Sequence, residues 1–112
     1  MSLASAPPPG KYEWLIVVPD KPGTLQKRLE LLPKHSEALK PMLESSMLKT
    51  GDKPADDNDP TTYDLCGSTM VLVAESKQEV QEFLSKDIYA TSGVWDVDNA
   101  LIWAAKIVFR TP

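Results

Sequence analysis

Two segments of the chain are apolar at every position, and this pattern limits the folds that the chain can adopt. Residues 14–18 and 70–74 read Trp-Leu-Ile-Val-Val and Met-Val-Leu-Val-Ala, and β-branched and aromatic side chains of this kind favour strands. A strand with one face in water alternates apolar and polar residues. We therefore predict that both strands lie in a sheet that is covered on its two faces.

A helical pattern follows each of these strands. After Thr24, a predicted N-cap, leucines recur with a 3.6-residue period as far as Leu43, which predicts a first helix. Pro33 lacks a backbone donor, so we expect a kink or a restart there. A capping box from Ser76 to Glu79 predicts the start of a second helix.

The remaining segments supply shorter strands. Residues 47–50 predict an edge strand before an acidic loop over residues 51–64, which contains five aspartates. The strand at residues 68–74 follows that loop, and residues 94–109 contain two β-rich pieces on either side of Asp98 and Asn99. The predicted order is therefore βαββαβ.

This order predicts an α+β fold, the ferredoxin-like plait, in which both helices cover one face of a four-stranded antiparallel sheet. The pattern of a third helix that could cover the other face is absent from the sequence. We therefore predict a homodimer in which the sheets of two copies pack face to face, as in a dimeric α/β barrel. The alternative is that the acidic loop 51–64 folds over that face.

Residues 1–11 contain three consecutive prolines and predict a disordered, Pro-rich N-terminal arm. Residues 12–110 predict a single domain of the plait type. The sequence contains no run of about 18 apolar residues that would predict a membrane span.

Charge and cysteine content exclude several classes of partner. The 112 residues carry 12 Lys and Arg against 16 Asp and Glu, for a net charge of -4. Binding to nucleic acid or to an anionic membrane surface requires clustered basic residues, so we expect neither. The single cysteine, Cys66, cannot form an internal disulfide, and this predicts a reducing compartment, namely the cytoplasm.

Two residues are candidates for acid and base chemistry. His35, the only histidine, lies at the edge of the apolar stripe of the first helix, where a structural histidine bonded to a backbone carbonyl is the competing interpretation. Asp87 follows the second helix, and a carboxylate near a helix C-terminus is disfavoured by the helix dipole. The competing interpretation of Asp87 is a solvated turn residue.

Metal and cofactor sites are not predicted. The acidic run at residues 56–59 lacks the spacing and the central glycine of a calcium loop, and one His with one Cys makes no zinc site. The predicted strand 68–74 lacks the stacking aromatics of an RNA-binding plait. Cys66 has no cation close by in the sequence, so we interpret it as a packing residue.

Several short motifs together resemble the YciI-like proteins of the YCII-related domain family, in the dimeric α/β-barrel superfamily. The resemblance extends from Tyr12 to about Phe109, and its first segment looks like the fungal, eukaryotic-type members. The motifs are Lys27-Arg28-Leu29, Pro33 with His35, Asn58-Asp59-Pro60, Gly67-Ser68-Thr69, Glu75-Ser76, Asp87-Ile88-Tyr89 and Ser92-Gly93-Val94.

The resemblance implies a plait that dimerises through its sheets and an active-site pair of a helix-one histidine and an aspartate. Here the pair is His35 with Asp87, and Asp20 at the end of the first strand is the rival carboxylate. The resemblance also implies an anion-orienting role for Arg28 and a substrate-facing hydroxyl on Ser68.

The chain departs from the family pattern at two points. Leu32 stands where the family often has an arginine before the proline, and Thr50-Gly51-Asp52 stands where it often has Ala-Gly-Pro.

These observations lead to one functional hypothesis and one alternative. The hypothesis is a small cofactor-independent enzyme of the lyase or isomerase type, in which His35 and a carboxylate move a proton on a small oxygenated or aromatic metabolite. Trp95, Trp14 or Trp103 would line the substrate site, although each is also a candidate for ordinary packing. The alternative is a non-catalytic dimeric module of the same fold that binds a small molecule or a partner.

Overall fold

The computed structural model of the chain describes residues 7–108. The strands are β1 (Tyr12–Pro19), β2 (Leu48–Pro54), β3 (Leu65–Ala74) and β4 (Leu101–Ala105), and the helices are α1 (Leu25–Glu44), α2 (Lys77–Lys86) and α3 (Ile88–Thr91). A single 3-10 turn, Val97–Asn99, precedes β4. None of the helices in this part of the chain is long and apolar enough to cross a bilayer.

The four strands form one antiparallel sheet in the order β2-β3-β1-β4. The two central strands are β1 and β3, which are the two segments that are apolar at every position. The predicted α+β fold, the ferredoxin-like βαββαβ plait, is confirmed. The short α3 is an addition to the predicted order of elements.

The two faces of the sheet have opposite environments. On the helix-covered face, side chains of β1 and β3 such as Ile16, Val18 and Leu72 are at most 2% exposed. They pack with Val80 and Leu84 of α2 in one hydrophobic core.

The open face is defined by six residues whose side chains share the other side of the sheet: Leu15, Val17, Thr69, Val71, Leu101 and Trp103. Leu15 is opposite both Val71 and Trp103 in the strand register. Leu101 is 52% and Trp103 is 63% exposed. Within residues 7–108, the acidic loop therefore does not cover this face.

The second strand is longer than the sequence predicted. We expected an edge strand over residues 47–50 and a loop from Gly51, whereas β2 continues to Pro54. Gly51 is opposite Thr69 and Asp52 is opposite Ser68 in the register with β3. Backbone pairing with a central strand extends this edge strand through a polar sequence, because β-propensity depends strongly on context.

The prediction of two strands in residues 94–109 was wrong for the first of them. Only an isolated bridge between Asp20 and Trp95 forms there, because the backbone N–H groups of Val94 and Trp95 both donate to the carbonyl of Tyr89 in α3. The second strand, β4, ends at Ala105 rather than at residue 109, which lies outside the described residues.

The start of α1 agrees with the prediction, since Thr24 lies at the N-cap position, but the capping bond and the restart at Pro33 do not form. The Thr24 hydroxyl donates to the carbonyl of Lys21 at 2.7 Å and makes no capping bond. The helix does not restart at Pro33, and it continues through Pro41 to Glu44. Each proline removes one backbone donor, and the buried side chains of one face hold the helix against the sheet.

The capping box of α2 is confirmed. The Ser76 hydroxyl accepts from the backbone N–H of Glu79 at 3.2 Å, and the Glu79 carboxylate reaches back to the N–H of Glu75 at 3.0 Å. Of the predicted N-terminal arm, residues 1–6 lie outside the described part. The backbone N–H of Lys11 donates to the carbonyl of Pro8 in a turn, and the disorder of residues 1–11 stays a prediction.

Candidate active site

A buried ion pair joins the end of β1 to the first turns of α1. Arg28 donates from Nε to Oδ2 of Asp20 at 2.7 Å and from Nη2 to Oδ1 at 3.2 Å. The exposed fractions of the two side chains are 2% and 5%. Two parallel bonds between a guanidinium and a carboxylate fix both groups, so the rival carboxylate Asp20 is committed to Arg28.

Ser68 extends this ion pair across the sheet. Its hydroxyl oxygen accepts from Nη2 of Arg28 and from the indole N–H of Trp95, the latter at 3.1 Å. The preceding Gly67 lets β3 approach β1, because a Cβ at this position would lie 2.6 Å from the carbonyl oxygen of Val18. The last partner of Arg28 is Asp52, whose Oδ1 lies 2.8 Å from Nη1.

A second buried pair joins α1 to the turn between α2 and α3. Nδ1 of His35 lies 2.9 Å from Oδ1 of Asp87, and the two side chains are 8% and 3% exposed. The same carboxylate oxygen accepts from the backbone N–H of Tyr89 at 2.8 Å. Asp87 is therefore the N-cap of α3 as well as the residue that ends α2, which explains a carboxylate that the dipole of α2 alone would disfavour.

Aromatic rings connect the two pairs. The Tyr89 ring stacks on His35, with centroids 4.0 Å apart and 13° between planes. The Arg28 guanidinium also lies against the Tyr89 ring, 4.9 Å from its centroid. Trp95 makes edge contacts with His35 and with Tyr89 at 5.7 and 5.6 Å. We call this assembly of Asp20, Arg28, His35, Asp52, Ser68, Asp87, Tyr89 and Trp95 the polar cluster.

Burial and charge shift two pKa values in the cluster. Burial raises the pKa of Tyr89 to about 12, against the opposing effect of Arg28, so Tyr89 stays protonated at neutral pH. Its hydroxyl donates to the backbone carbonyl of Arg28 at 3.2 Å. Burial alone would lower the pKa of Arg28, but the hydrogen bond and charge of Asp20 outweigh it and raise this pKa above its ordinary value.

The six residues singled out from the sequence thus come together in one cluster. Arg28, Ser68, Asp20 and Trp95 form its first part, and His35 with Asp87 forms the second. The sequence interpretation missed Tyr89 and Asp52. Tyr89 had a local signal, since it stands two residues after Asp87 in a capping turn, whereas the contact of Asp52 depends on the unpredicted length of β2.

His35 lines neither of two grooves on the surface. A groove of about 450 Å³ lies on the open face of the sheet and is lined mainly by apolar side chains. A second, of about 370 Å³, lies beside Asp20 and the start of α1. The open-face groove offers no acid or base beyond Lys49 among its lining residues, so the polar cluster remains the better candidate for chemistry.

Cys66 differs from the sequence interpretation in one respect. Lys53 of β2 brings its Nζ to 3.6 Å from the Cys66 sulfur, so a cation does lie near this thiol. Within residues 7–108, no three His, Cys, Asp or Glu side chains are grouped in a way that could hold a metal ion.

Comparison of the sequence with protein families identifies the family of the chain. A model of the YCII-related domain matches residues 12–104. The chain belongs to the YCII-related domain family. The predicted resemblance to the YciI-like proteins is therefore confirmed.

Individual relatives include fungal and bacterial proteins. Fusaric acid biosynthesis protein 2 of Gibberella fujikuroi is 30% identical over 96 residues, which cover 84% of this chain and 92% of the relative. Aspartate kinase FUB3 of Fusarium oxysporum f. sp. lycopersici is 32% identical over 97 residues. That match covers 85% of this chain but only 18% of the kinase.

A solved structure has the same fold. It is the 5-chloro-2-hydroxyhydroquinone dehydrochlorinase TftG of Burkholderia phenoliruptrix AC1100, in complex with 2,5-dihydroxybenzoquinone. The TM-score is 0.72 at 26% sequence identity, and the match covers 84% of this chain and 93% of that chain.

Proposed function

We propose that the chain is a small cofactor-independent enzyme of the lyase or isomerase type. In this proposal His35 moves a proton on a small hydroxylated aromatic or quinone-like metabolite, and Asp87 orients the imidazole. The observation that carries the proposal is the 2.9 Å contact between Nδ1 of His35 and the buried carboxylate of Asp87.

The hydrogen bonds of Asp87 set the role of the imidazole. The carboxylate oxygen that faces His35 already accepts from the backbone N–H of Tyr89. In the tautomer that we propose, Nδ1–H of His35 donates a second hydrogen bond to this oxygen, which leaves Nε2 with its lone pair. Among the described residues, Nε2 has no hydrogen-bond partner. A neutral imidazole in this tautomer is suited to accept a proton from a substrate.

The rings around His35 act as positioning groups in the proposal. Tyr89 stacks on one side of the imidazole and Trp95 meets it edge-on. Because burial keeps the pKa of Tyr89 near 12, its phenol serves as a neutral support and not as a second base. A base that is already held in its reactive orientation lowers the entropic part of the activation free energy.

The solved relative supports the class of reaction. TftG is a dehydrochlorinase of a chlorinated hydroxyhydroquinone, and the loss of HCl needs a base and a leaving group but no change of net oxidation state. A histidine base held by a carboxylate can supply such a step without a redox cofactor. We propose the same kind of proton transfer for this chain.

We also propose that two copies associate through the open face. Three apolar residues of this face are exposed, namely Leu15 at 42%, Leu101 at 52% and Trp103 at 63%. A contiguous apolar surface of this kind is normally buried in an interface, and an antiparallel sheet suits a symmetric partner. A cytoplasmic location stays a proposal that rests on the unpaired Cys66.

The test of the catalytic proposal is turnover by a conservative His35 variant. The purified protein is incubated with a panel of hydroxylated aromatics that includes 5-chloro-2-hydroxyhydroquinone, and released chloride and ultraviolet spectra are followed. His35→Asn keeps a donor near the position of Nδ1 but removes the base. We expect turnover to fall by about 10² to 10⁴-fold, with a change in unfolding free energy of about 1 kcal/mol or less.

Glu37→Gln, an exposed change on the same helix, is the matched control and should keep full turnover. Equal turnover by His35→Asn and by the control would contradict the proposal. So would a His35 variant that loses stability in proportion to its loss of turnover, because a ring that merely packs would behave in this way.

A second candidate function is a non-catalytic binding module, and one observation favours it. His35 is only 8% exposed, whereas the groove of about 450 Å³ lies on the opposite face of the sheet. A module of this kind would bind a small molecule or a partner without His35-dependent turnover.

A further inference from the structure

Asp52 has the most exposed side chain of the polar cluster. Its side chain is 51% exposed, whereas that of its partner Arg28 is 2% exposed. Asp52 belongs to β2, one of the two edge strands of the sheet. It therefore lies at the margin where the cluster meets water.

The donors of Arg28 show which of its contacts can be exchanged. Nε and Nη2 are committed to Asp20 and Ser68, whose side chains are both buried. Nη1 faces Asp52, with one N–H on its oxygen and the second N–H without a partner among the described residues. Only the Asp52 side of this pair is exposed, so we expect its loss to cost less than the loss of the pair with Asp20, in which both side chains are buried. The contact with Asp52 is the one that an incoming group can modify.

The charges at this margin determine what such a group can be. Asp20 already balances the charge of Arg28, so Asp52 gives the three side chains a net negative charge. A carboxylate on a ligand would have to displace Asp52 or lie beside it. A neutral hydroxyl can instead accept from the free N–H of Nη1 and donate to the Asp52 carboxylate.

We propose that Asp52 is a specificity-determining residue of this site. Its carboxylate makes the site select neutral hydroxylated ligands over ligands that carry a carboxylate. This inference rests on the proposed function and names its substrate class. It assigns Arg28 a different role from free anion binding, since the guanidinium is already paired on three sides.

The test compares two probes that share a catechol ring and differ in charge. The probes are 4-methylcatechol, which is neutral, and 3,4-dihydroxybenzoate, which is an anion. Their affinities are measured by calorimetry for the wild type, for Asp52→Asn and for Asp57→Asn. Asp57 lies in the loop after β2, makes no hydrogen bond among the described residues, and offers the same change of charge away from Arg28.

We expect the wild type to prefer the neutral probe. Asp52→Asn should bind 3,4-dihydroxybenzoate about tenfold more tightly than the wild type, since it removes a charge that adjoins the ligand. Its affinity for 4-methylcatechol should change by about threefold at most. Asp57→Asn should match the wild type for both probes.

Three results would overturn the inference: no gain for the anion in Asp52→Asn, an equal gain in Asp57→Asn, or no binding of either probe by any of the proteins. Turnover that depends on His35 is measured separately with the neutral substrates. If that turnover persists without the affinity gain, only the role of Asp52 fails. If the gain appears without turnover, the site selects ligands as proposed and the catalytic proposal fails.

Discussion

The two faces of the sheet distribute polarity in opposite ways. The helix-covered face buries a guanidinium, an imidazole and two carboxylates, each with its partners, whereas the open face leaves Leu101 and Trp103 in solvent. Hydrophobicity alone would place the polar groups in solvent and the apolar side chains in the interior. This contrast supports the two proposals made above, namely proton transfer on the helix-covered side and association of two copies through the open face.

The largest expected effect tests the open face. Val71→Glu places a charge in the centre of the proposed interface, where it would be buried without a counterion. Light scattering at micromolar concentration should give about twice the chain mass for the wild type and a monomer or an aggregate for the variant. Val17→Glu, on the neighbouring strand, should behave in the same way.

Gln81→Glu adds the same charge on the exposed surface of α2 and is the control. It should leave the mass unchanged. A monomeric wild type, or a soluble dimer in both valine variants, would show that the open face is not the interface.

The next effect tests the helix-covered face. Arg28→Met removes the cation between Asp20 and Asp52 and leaves a buried carboxylate without its partner. The unfolding free energy should fall by about 3 to 5 kcal/mol, as measured by urea denaturation. Lys27→Met, at an exposed neighbouring position, should cost about 1 kcal/mol or less. Similar losses in the two variants would mean that the buried ion pair contributes no more than a surface contact.

A third effect appears at high pH. The pKa of Tyr89 is about 12 in the folded chain against an ordinary value of 10.0, so between these values the unfolded chain loses a proton that the folded chain keeps. The contribution of Tyr89 is fully present below pH 10 and is lost as the pH rises through about 12.

Stability should therefore fall by about 1 to 3 kcal/mol more in the wild type than in Tyr89→Phe as the pH rises above 10. Chemical denaturation at a series of pH values measures this difference. Parallel curves for the two proteins would show that Tyr89 does not keep its proton in the folded state.

The smallest effect compares one tryptophan from each face. Trp95→Phe loses the indole N–H bond to Ser68 and should cost about 1 kcal/mol. The indole of Trp103 makes no such bond among the described residues, and Trp103 is 63% exposed. Trp103→Phe therefore removes little. Measured in the Val71→Glu background, where dimer packing does not contribute, it should cost about 0.5 kcal/mol or less. Equal losses of unfolding free energy in the two variants would show that a tryptophan contributes the same stability on either face.

The sequence predicted those features that follow from local pattern. The capping box of α2 and the apolar central strands were read correctly because each depends on neighbouring residues. The order of elements then gave the plait. Of the two candidate carboxylates, the geometry pairs Asp87 with His35 and commits Asp20 to Arg28.

The features that escaped prediction depend on hydrogen bonds that the apolar and polar pattern does not reveal. Asp52 reaches Arg28 because backbone pairing with β3 carries β2 past Gly51 through residues with low strand propensity. The expected strand near Val94 was replaced by a local turn whose N–H groups bind the carbonyl of Tyr89. The first difference arises from long-range strand pairing and the second from a short-range turn, and both outweighed β-propensity.

The turn from Asp87 to Tyr89 makes the candidate site a transplantable unit. Three consecutive residues supply the carboxylate, the backbone N–H that holds it and the ring that supports the imidazole. A protein designer would need to graft only this turn against a helix that presents a histidine at the same distance. A local motif would then set the contact between imidazole and carboxylate, while the rest of the scaffold could be chosen for other purposes.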